Sequence, residues 1–388
     1  MNRRQFIYLA GGMTLTGQAG NVWAVPPRHV AIVGAGIMGA SIGYHMARRG
    51  VGVTILEKER PGAGTTRNAF AWLNAGSKRP RPYYELNLLG MLGWWRLARE
   101  IGPELPVQFG GCVQWTGLPT SADAFKEAVA AQESWGYSVR PIEGSELKAL
   151  LPEVSPGPVA AASFADQEGT VDPLRATEVL LRKAQDLGAV VEYPCDVTDF
   201  ILSSGRVRSL ETSKGNIDAD SFVLAAGNGI PPLAEKVGLT VPLVESPGVL
   251  AHTVPLPRLL NRVAITQGVT LKQNPDGRIV TGIDFGGTPG VAPTREEGEK
   301  LLAAAAAYLP ALKTSQLDFV TLGHRVLPKD GHTIIGASKT CSNCYAVATH
   351  SGITLAPILG QLAAIEVLEG CKVDLLAPFR PERFAASA

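Results

Sequence analysis

Two short runs of apolar residues near the start of the chain predict buried β-strands over His29–Val33 and residues 51–56. Between them, the glycine-containing turn Gly34-Ala35-Gly36-Ile37-Met38-Gly39 leads into a segment typical of a helix that ends near Arg49-Gly50. Glu57 directly follows the second strand. The order strand, glycine turn, helix, strand, acid predicts a βαβ unit.

The rest of the chain mixes helical and strand patterns. Asp172-Pro173 has the sequence of an N-cap followed by a first helical residue. Apolar spacing predicts helices over residues 83–99, 122–135, 172–188, 296–308 and 353–369. Short apolar runs predict strands over residues 190–193, 197–202, 207–211, 222–225, 318–325 and 345–348. Alternating runs broken by Pro and Gly predict an antiparallel sheet within residues 241–282.

Composition narrows the class of protein. The 388 residues carry 36 Lys+Arg against 35 Asp+Glu, so no excess of charge indicates a nucleic acid or an acidic membrane surface as a partner. A hydrophobic content of 45% excludes a disordered chain. Five cysteines are too few for a disulfide-built scaffold, and one Cys341-x-x-Cys344 pair is not a zinc site, so no metal is predicted.

The first 24 residues differ from the rest. Arg3-Arg4 opens a modestly apolar segment that ends in small residues, and no acidic residue precedes Glu57. This pattern predicts a signal peptide over residues 1–24. The apolar segment is too short and too rich in glycine for a stable membrane span. Residues 3–7 resemble the twin-arginine export motif, which predicts a periplasmic or otherwise exported protein. The alternative is a disordered basic tail.

The glycine turn has the context of a dinucleotide-binding fingerprint. Gly34 permits the tight turn, Gly36 lets the backbone approach a pyrophosphate, and Gly39 lets the helix pack on the strand. The pyrophosphate would lie at the helix N-terminus, where free N–H groups favour an anion. Glu57 would accept hydrogen bonds from ribose hydroxyls, which argues against NADP. The alternative is a glycine turn with a packing role only, and the fingerprint itself leaves NAD and FAD open. Export favours FAD, because a diffusible nicotinamide would have no regenerating pool outside the cytoplasm.

Three further blocks carry a family resemblance. They are residues 62–68 (GAGTTRN), residues 223–227 (VLAAG) and the stretch from Gly323-His324-Arg325 to Asp330-Gly331. With the fingerprint, they make the chain similar to the D-amino-acid oxidase, glycine oxidase and sarcosine oxidase family of flavoproteins over most of residues 28–370. The resemblance implies an α/β fold, in which a Rossmann-type FAD-binding domain (28–80, 150–240 and 318–388) is interleaved with an α+β substrate domain (81–149 and 241–317) built on an antiparallel sheet.

The same resemblance assigns residues to the cofactor. Thr65 and Thr66 correspond to a hydroxyl pair beside the FAD phosphate and ribitol, although turn capping is the alternative. The run 70–72 passes beside the flavin ring, where bulky Phe70 and Trp72 depart from the small residues usual in the family. The implied FAD-binding set is Gly34, Ala35, Gly36, Ile37, Met38, Gly39, Glu57, Lys58, Thr65, Thr66, Asn68, Ala71, Trp72, Val197, Ala226, Gly227, Ser351, Gly352, Ile353 and Thr354.

At the substrate end, Arg325 matches the family arginine that pairs with a carboxylate, a task suited to a planar guanidinium that stays charged. A structural ion pair is the alternative for Arg325. His324 and His350 either assist proton movement or serve as structural residues. Lys78-Arg79-Pro80-Arg81 is a basic cluster near the expected cavity mouth, either a solvated loop or a site that attracts an acidic substrate.

The implied activity is oxidation of the C–N bond of an amino acid or related carboxylated amine by hydride transfer to flavin N5. The alternatives are a flavin-dependent 2-hydroxy-acid dehydrogenase and a non-catalytic flavin-binding protein.

No cysteine occurs within residues 321–336, where sarcosine-type members attach their flavin, so FAD is expected to bind non-covalently. Residues 277–282 contain no lysine of the kind that helps oxygen react in those members, which leaves oxygen and a respiratory acceptor both open. The oligomeric state is also open.

Overall fold

The computed structural model describes residues 26–283 and 290–384, so the predicted signal peptide lies outside the described residues. The helices and strands that the sequence analysis bounds by residue number are present within a few residues of their expected limits, but several shorter elements were not predicted. The helices are α1 (Ile37–Ala47), α2 (Arg81–Ile101), α3 (Pro119–Glu133), α4 (Gly144–Leu150), α5 (Pro173–Asp186), α6 (Ile230–Lys236), α7 (Arg295–Ala306) and α8 (Gly352–Glu369).

The strands are β1 (His29–Val33), β2 (Gly52–Leu56), β3 (Trp72–Leu73), β4 (Val107–Gln108), β5 (Cys112–Thr116), β6 (Val139–Pro141), β7 (Ala161–Ala165), β8 (Gly169–Val171), β9 (Val190–Glu192), β10 (Val197–Ser203), β11 (Arg206–Thr212), β12 (Gly215–Asp218), β13 (Ser221–Leu224), β14 (Leu243–Val244), β15 (Pro247–Thr253), β16 (Val263–Thr266), β17 (Val269–Gln273), β18 (Ile279–Gly282), β19 (Leu317–His324), β20 (Leu327–Pro328), β21 (Ile334–Ala337) and β22 (Cys344–Ala348).

A six-stranded sheet forms the first part of the molecule, with strand order β21-β22-β13-β1-β2-β9. Strands β1, β2, β9, β13 and β22 run parallel, and β21 is an antiparallel edge. Helices α1, α5 and α8 share a buried apolar cluster with this sheet. A second cluster joins the sheet to β10, β11 and α6. Because both faces are covered, the strands are almost continuously apolar, as in other parallel sheets.

The second large sheet is mostly antiparallel and has the order β19-β15-β18-β17-β16-β5-β7-β6. It contains the predicted antiparallel strands of residues 241–282, and α7 packs on its apolar face. Strand β7 and the whole of β19 pair within this sheet, although the predicted limits place residues 150–240 and 318–388 with the FAD-binding domain. Apolar alternation identifies a strand but not its distant partner.

The apolar helix α8 is a core element. It is the one helix among the described residues with the length and composition of a membrane span, and 67% of that window is buried inside the protein. Ser41 Oγ on α1 donates a hydrogen bond to Ala356 O at 2.7 Å, and a Cβ on Gly360 would lie 2.3 Å from the same hydroxyl. The close packing of α1 against α8 therefore accounts for the uninterrupted apolar sequence.

Candidate active site

A cavity of about 1160 Å³ runs from the carboxyl ends of β1 and β2 to the antiparallel sheet. Ligands of open α/β sheets bind at this edge of the parallel strands. Most of the residues predicted to hold a cofactor line it. They are Gly34, Gly36, Ile37, Met38, Glu57, Lys58, Thr65, Thr66, Asn68, Ala71, Trp72, Val197, Ala226, Gly227, Ser351, Gly352, Ile353 and Thr354. The proposed catalytic residues Arg325, His324 and His350 line the other end.

The glycine turn is required by close backbone contacts. Gly34 has φ +104°, and a Cβ there would lie 2.6 Å from the carbonyl oxygen of Ala225. A Cβ on Gly39 would lie 1.9 Å from Gly34 O, so only glycine lets α1 start directly behind β1. Ala35 and Gly39 belong to this turn but are absent from the cavity lining, so their contribution is to backbone geometry.

Glu57 fixes the turn from the end of β2. Its Oε2 accepts a hydrogen bond from Ala35 N–H at 2.9 Å, and its Oε1 accepts one from Glu59 N–H at 3.1 Å. The carboxylate thus holds the backbone of the turn while it lines the cavity. The expected bonds to ribose hydroxyls would use its remaining lone pairs, since a carboxylate accepts about four hydrogen bonds.

Thr66 and Thr65 connect the start of α1 to the distant Gly323–Arg325 block. Thr66 Oγ1 accepts the Ile37 N–H at 3.1 Å, at the first turn of α1. Thr65 Oγ1 donates to the carbonyl oxygen of His324 at 2.7 Å. Both hydroxyls therefore have structural partners at the cavity wall, and the interpretations as cofactor contact and as turn cap are compatible.

His324 contributes its main chain to this connection. Its carbonyl oxygen accepts from Thr65 and also from Asn228 Nδ2 at 2.9 Å. The imidazole is about half exposed, and its Nδ1 lies 3.9 Å from Glu245 Oε1. The structure therefore gives a clear position to the backbone of His324, whereas a direct role of its ring stays a prediction.

Arg325 is oriented by Ser246, which directly precedes β15, and by Pro247, the first residue of that strand. Its Nη1 donates to Ser246 Oγ at 3.2 Å and to Pro247 O at 3.3 Å. A Cβ on Gly248 would lie 2.8 Å from Nη2, so the absence of a side chain there makes room for the guanidinium. Arg325 is thereby held across a strand of the antiparallel sheet, at the wall of the cavity.

The N-terminus of α8 meets the same end of the cavity. His350 precedes it, and burial, followed by the charges of Lys78 and Arg325, lowers the pKa of His350 to about 4. The imidazole is therefore neutral near pH 7. Tyr83 Oη donates to Ser351 Oγ at 3.1 Å, and Thr354 Oγ1 donates to Trp72 O at 3.2 Å, which fixes the first turn of the helix. An 18-residue helix directs its positive dipole end here.

The bulky run 70–72 is accommodated by distant residues. Phe70 is buried in a small apolar cluster with Cys112, Val263 and Val280. Ala71 has φ +60°, and its carbonyl oxygen accepts the Thr170 hydroxyl at 3.0 Å. The Trp72 indole is held by a 2.6 Å hydrogen bond from Nε1 to Glu168 Oε2. The departure from the small residues of the family therefore yields a cavity wall with fixed side-chain positions.

Glu168 was missed by sequence analysis. It is 1% exposed, and Tyr137 Oη donates to its Oε1 at 2.6 Å while Trp72 occupies Oε2. Burial raises the pKa of this carboxyl to about 7. In the sequence Glu168 stands in the polar segment Asp166–Gly169, which resembles an exposed turn. Nothing local indicates that residues 31 and 96 positions away enclose it.

Lys272 was also missed, because the family resemblance points to residues 277–282, which lead into and form β18, whereas Lys272 is on the neighbouring strand. It lies on β17 directly opposite Val280 of β18, is 1% exposed, and donates from Nζ to Val171 O at 3.0 Å. Its Nζ lies 5.7 Å from the centre of the Phe70 ring. Burial lowers the pKa of this amine to about 7. Lys272 is behind the cavity wall and does not line the cavity.

The family follows from comparison with known proteins. The profile of the family described as FAD dependent oxidoreductase (DAO) matches residues 29–364. The chain belongs to this family. It is an FAD-dependent oxidoreductase, and the predicted fold, with a Rossmann-type half and a second sheet, is confirmed.

Relatives at low identity cover most of this chain. Glycine oxidase of Geobacillus kaustophilus is 27% identical over 363 residues, or 90% of this chain and 95% of the relative. The mitochondrial dimethylglycine dehydrogenase of Mus musculus is 25% identical over 91% of this chain, which spans only 44% of that relative. The crystal structure of the Geobacillus enzyme superposes with a TM-score of 0.83, at 24% identity, over 92% of this chain and 98% of that chain.

The residues present fit FAD. Gly36 is the N-cap residue of α1 and has no side chain that could cover the start of the helix. Gly36 and Ile37 both line the cavity, so the N-terminus of α1 faces it as an anion-binding end. One continuous cavity joins this turn to the N-terminus of α8. The described residues contain no group of three His, Cys, Asp or Glu side chains that could hold a metal ion, and Cys341 and Cys344 are buried free thiols.

Proposed function

We propose that this enzyme oxidises the C–N bond of an amino acid or a related carboxylated amine. The observation that carries the proposal is the meeting of Arg325, neutral His350 and the N-terminus of α8 at the end of the cavity opposite the glycine turn. Relatives named glycine oxidase and dimethylglycine dehydrogenase support the same substrate class. FAD, when bound, supplies the two-electron acceptor for such an oxidation.

In this proposal Arg325 orients the substrate. A guanidinium presents two parallel N–H donors that match a carboxylate and stays charged at any working pH. Ser246 Oγ and Pro247 O hold its Nη1 group, so the fork has a fixed direction at the wall. A carboxylate bound there would bring the attached Cα and amine beside the first turn of α8.

His350 would keep a neutral ring beside the substrate amine. An amine with a carboxylate on the same carbon is an ammonium ion in water near pH 7, and it must become neutral before its C–N bond is oxidised. Burial, followed by the charges of Lys78 and Arg325, disfavours a protonated His350. The amine would therefore release its proton to solvent, and the neutral ring at the cavity wall can accept a hydrogen bond from the remaining N–H. Water then hydrolyses the resulting imine.

An anaerobic reduction screen tests the proposal. The purified holoenzyme would be mixed with glycine, N-methylated glycines, both enantiomers of common amino acids, and matched 2-hydroxy acids, while flavin absorbance is followed. Bleaching by carboxylated amines alone is the expected result. Bleaching by 2-hydroxy acids alone would replace the proposed substrate class, and a flavin that no compound reduces would indicate a binding protein. Admitting oxygen or an artificial quinone to the reduced enzyme then identifies the class of electron acceptor.

We further propose that FAD is bound without a covalent bond. The Gly323–Gly331 block contains no cysteine, and Cys195, the one cysteine among the described residues lining the cavity, lies beside Glu57 at the glycine-turn end. Acid precipitation should release all of the yellow colour into the supernatant. Colour that stays with the precipitate would contradict this proposal.

We also propose export of the folded protein through Arg3 and Arg4. A receptor-read twin-arginine pattern suits a cargo that folds around a cofactor before transport. Replacing both by Lys keeps the charge and removes the guanidinium groups, so cell fractionation should show retention in the cytoplasm. Arg28→Lys, at an exposed position, is the matched control. Unchanged export of the double variant would rule out this role for the pair.

A further inference from the structure

The end of the cavity lined by Arg325, His350 and the N-terminus of α8, here called the substrate end, contains a second cationic side chain, Lys78. It follows Gly76-Ser77 in the loop between β3 and α2, and all three residues line the cavity. A Cβ on Gly76 would lie 2.7 Å from Gln132 Oε1 and 3.4 Å from Glu168 Oε1. The loop is therefore packed tightly against the buried Glu168 cluster, which fixes where the Lys78 side chain enters the cavity.

The ammonium group of Lys78 has no hydrogen bond and no ion pair with any described residue. Burial lowers the pKa of Lys78, and the charge of Glu168 opposes this only in part. A surface lysine normally extends its charge into water or pairs it with an acid. Lys78 instead lies partly enclosed at a cavity wall, where an anion would compensate its charge.

The acidic side chains of the cavity are elsewhere. Among the described lining residues the acids are Glu57, Glu59 and Asp196, all at the glycine-turn end. Glu168 is behind the wall, and its two oxygens already accept from Trp72 and Tyr137. Lys78 and Arg325 both act electrostatically on His350, so two cations and one neutral imidazole share the substrate end.

We propose that Lys78 binds a second acidic group of the substrate, and that the preferred substrates are amines carrying two carboxylates. This inference rests on the proposed function, which assigns the first carboxylate to Arg325. A monocarboxylate would leave the Lys78 ammonium enclosed beside the bound ligand without a counter-charge. A dicarboxylate supplies that charge, and the charge-assisted hydrogen bond adds to its affinity.

Matched substrate pairs test the inference in the holoenzyme. Each pair differs by one carboxylate: N-(carboxymethyl)glycine with N-methylglycine, and aspartate with alanine, each enantiomer separately. Lys78→Met should lower kcat/KM for the better dicarboxylate by about 10-fold to 150-fold, the equivalent of one charge-assisted hydrogen bond. The same variant should change kcat/KM for the monocarboxylate by less than about 3-fold. Lys78→Arg, which keeps a cation, should recover part of the loss.

Arg79→Met is the control for general electrostatics. Arg79 is the next residue, but it is exposed, stacks on the ring of Trp135 and does not line the cavity. It should leave the ratio of dicarboxylate to monocarboxylate kcat/KM unchanged. Equal loss on both substrate types in Lys78→Met would overturn the inference and place Lys78 in the machinery common to all substrates. No loss on either type would overturn it as well.

Binding of compounds that cannot be oxidised separates this inference from the proposed function. Succinate and propionate would be titrated into wild type and Lys78→Met, with calorimetry as the readout. Weaker binding of succinate in the variant, with propionate unchanged, supports a second carboxylate site even in a protein that oxidises no amine. If monocarboxylated amines reduce the enzyme and succinate binds both proteins equally, the proposed function stands and the role of Lys78 is refuted.

Discussion

The buried carboxyl of Glu168 should make the protein less stable as pH rises. The folded-state pKa of Glu168 is about 7, whereas the usual pKa of a glutamate carboxyl is 4.5, so between these pH values the native state holds a proton that the unfolded state has lost. Stability then falls with increasing pH through this window. A difference of about 2.5 pKa units at about 1.36 kcal/mol each corresponds to roughly 3 kcal/mol, fully expressed above pH 7.

Other buried groups titrate in the opposite direction, so only a difference between variants isolates Glu168. Burial lowers the pKa of His45, His252 and His350 to about 4, and each makes the native state more stable as pH rises from 4 to 6.5. These contributions cancel when wild type is compared with Glu168→Gln. The glutamine oxygen can accept from Trp72 Nε1, and its amide can donate to Tyr137 Oη.

The assay is thermal unfolding of both proteins with saturating FAD at a series of pH values from 4.5 to 8. For a chain of 388 residues the entropy of unfolding is about 0.8 kcal/mol/K, so roughly 3 kcal/mol corresponds to about 4 °C in Tm. The Tm of the variant minus that of wild type should rise by this amount across the series. Glu133→Gln, which removes an exposed carboxylate on α3, is the control. A constant Tm difference across the series would refute the protonation argument.

Three further substitutions follow from the site. Thr66→Val removes the acceptor of the buried Ile37 N–H, so FAD should bind about 5-fold or more weaker in titrations of apoprotein, whereas full affinity would contradict a role at the helix start. Arg325→Met should lower kcat/KM for the best carboxylated amine by at least about 10-fold to 150-fold with unchanged FAD content, and unaltered kinetics would remove Arg325 from the mechanism. The depressed native pKa of Lys272 makes wild type gain stability as pH rises from 6.5 to 10, and Lys272→Met lacks this gain. The free energy of unfolding of the variant minus that of wild type should therefore be larger at pH 6.5 than at pH 10, by up to about 5 kcal/mol. A difference in denaturant unfolding that does not change with pH would exclude this.

The fold was predictable where contacts are local in sequence. The βαβ unit of β1, α1 and β2 follows from two short apolar runs, the glycine turn after the first and Glu57 after the second, all within about thirty residues. Asp172 caps α5 as predicted, with its side chain accepting the Arg175 N–H at 3.1 Å. Such signals depend on neighbours along the chain, which the sequence displays directly.

The walls of the cavity depend on contacts across the whole chain. Thr65 meets His324 across 259 residues, and Trp72 meets Glu168 across 96. Whether a polar residue such as Glu168 or Lys272 is exposed is decided by strand pairing, and a period-two pattern does not reveal the partner strand. The strands β5, β7 and β8, which enclose these groups, were themselves missed because their apolar runs are short and interrupted by polar residues.

The two cations at the substrate end should respond differently to pH. An arginine keeps its charge throughout the working range, whereas burial lowers the pKa of Lys78 below the usual value for lysine. As pH rises, Lys78 should therefore become neutral first, and the preference for dicarboxylates should decline while binding of the first carboxylate persists. The measurement is the ratio of kcat/KM values for N-(carboxymethyl)glycine and N-methylglycine between pH 7 and pH 10, in which ionisations common to both substrates cancel. Lys78→Arg should keep the ratio constant over this range, and a wild-type ratio equally independent of pH would contradict the assignment of the second carboxylate to Lys78.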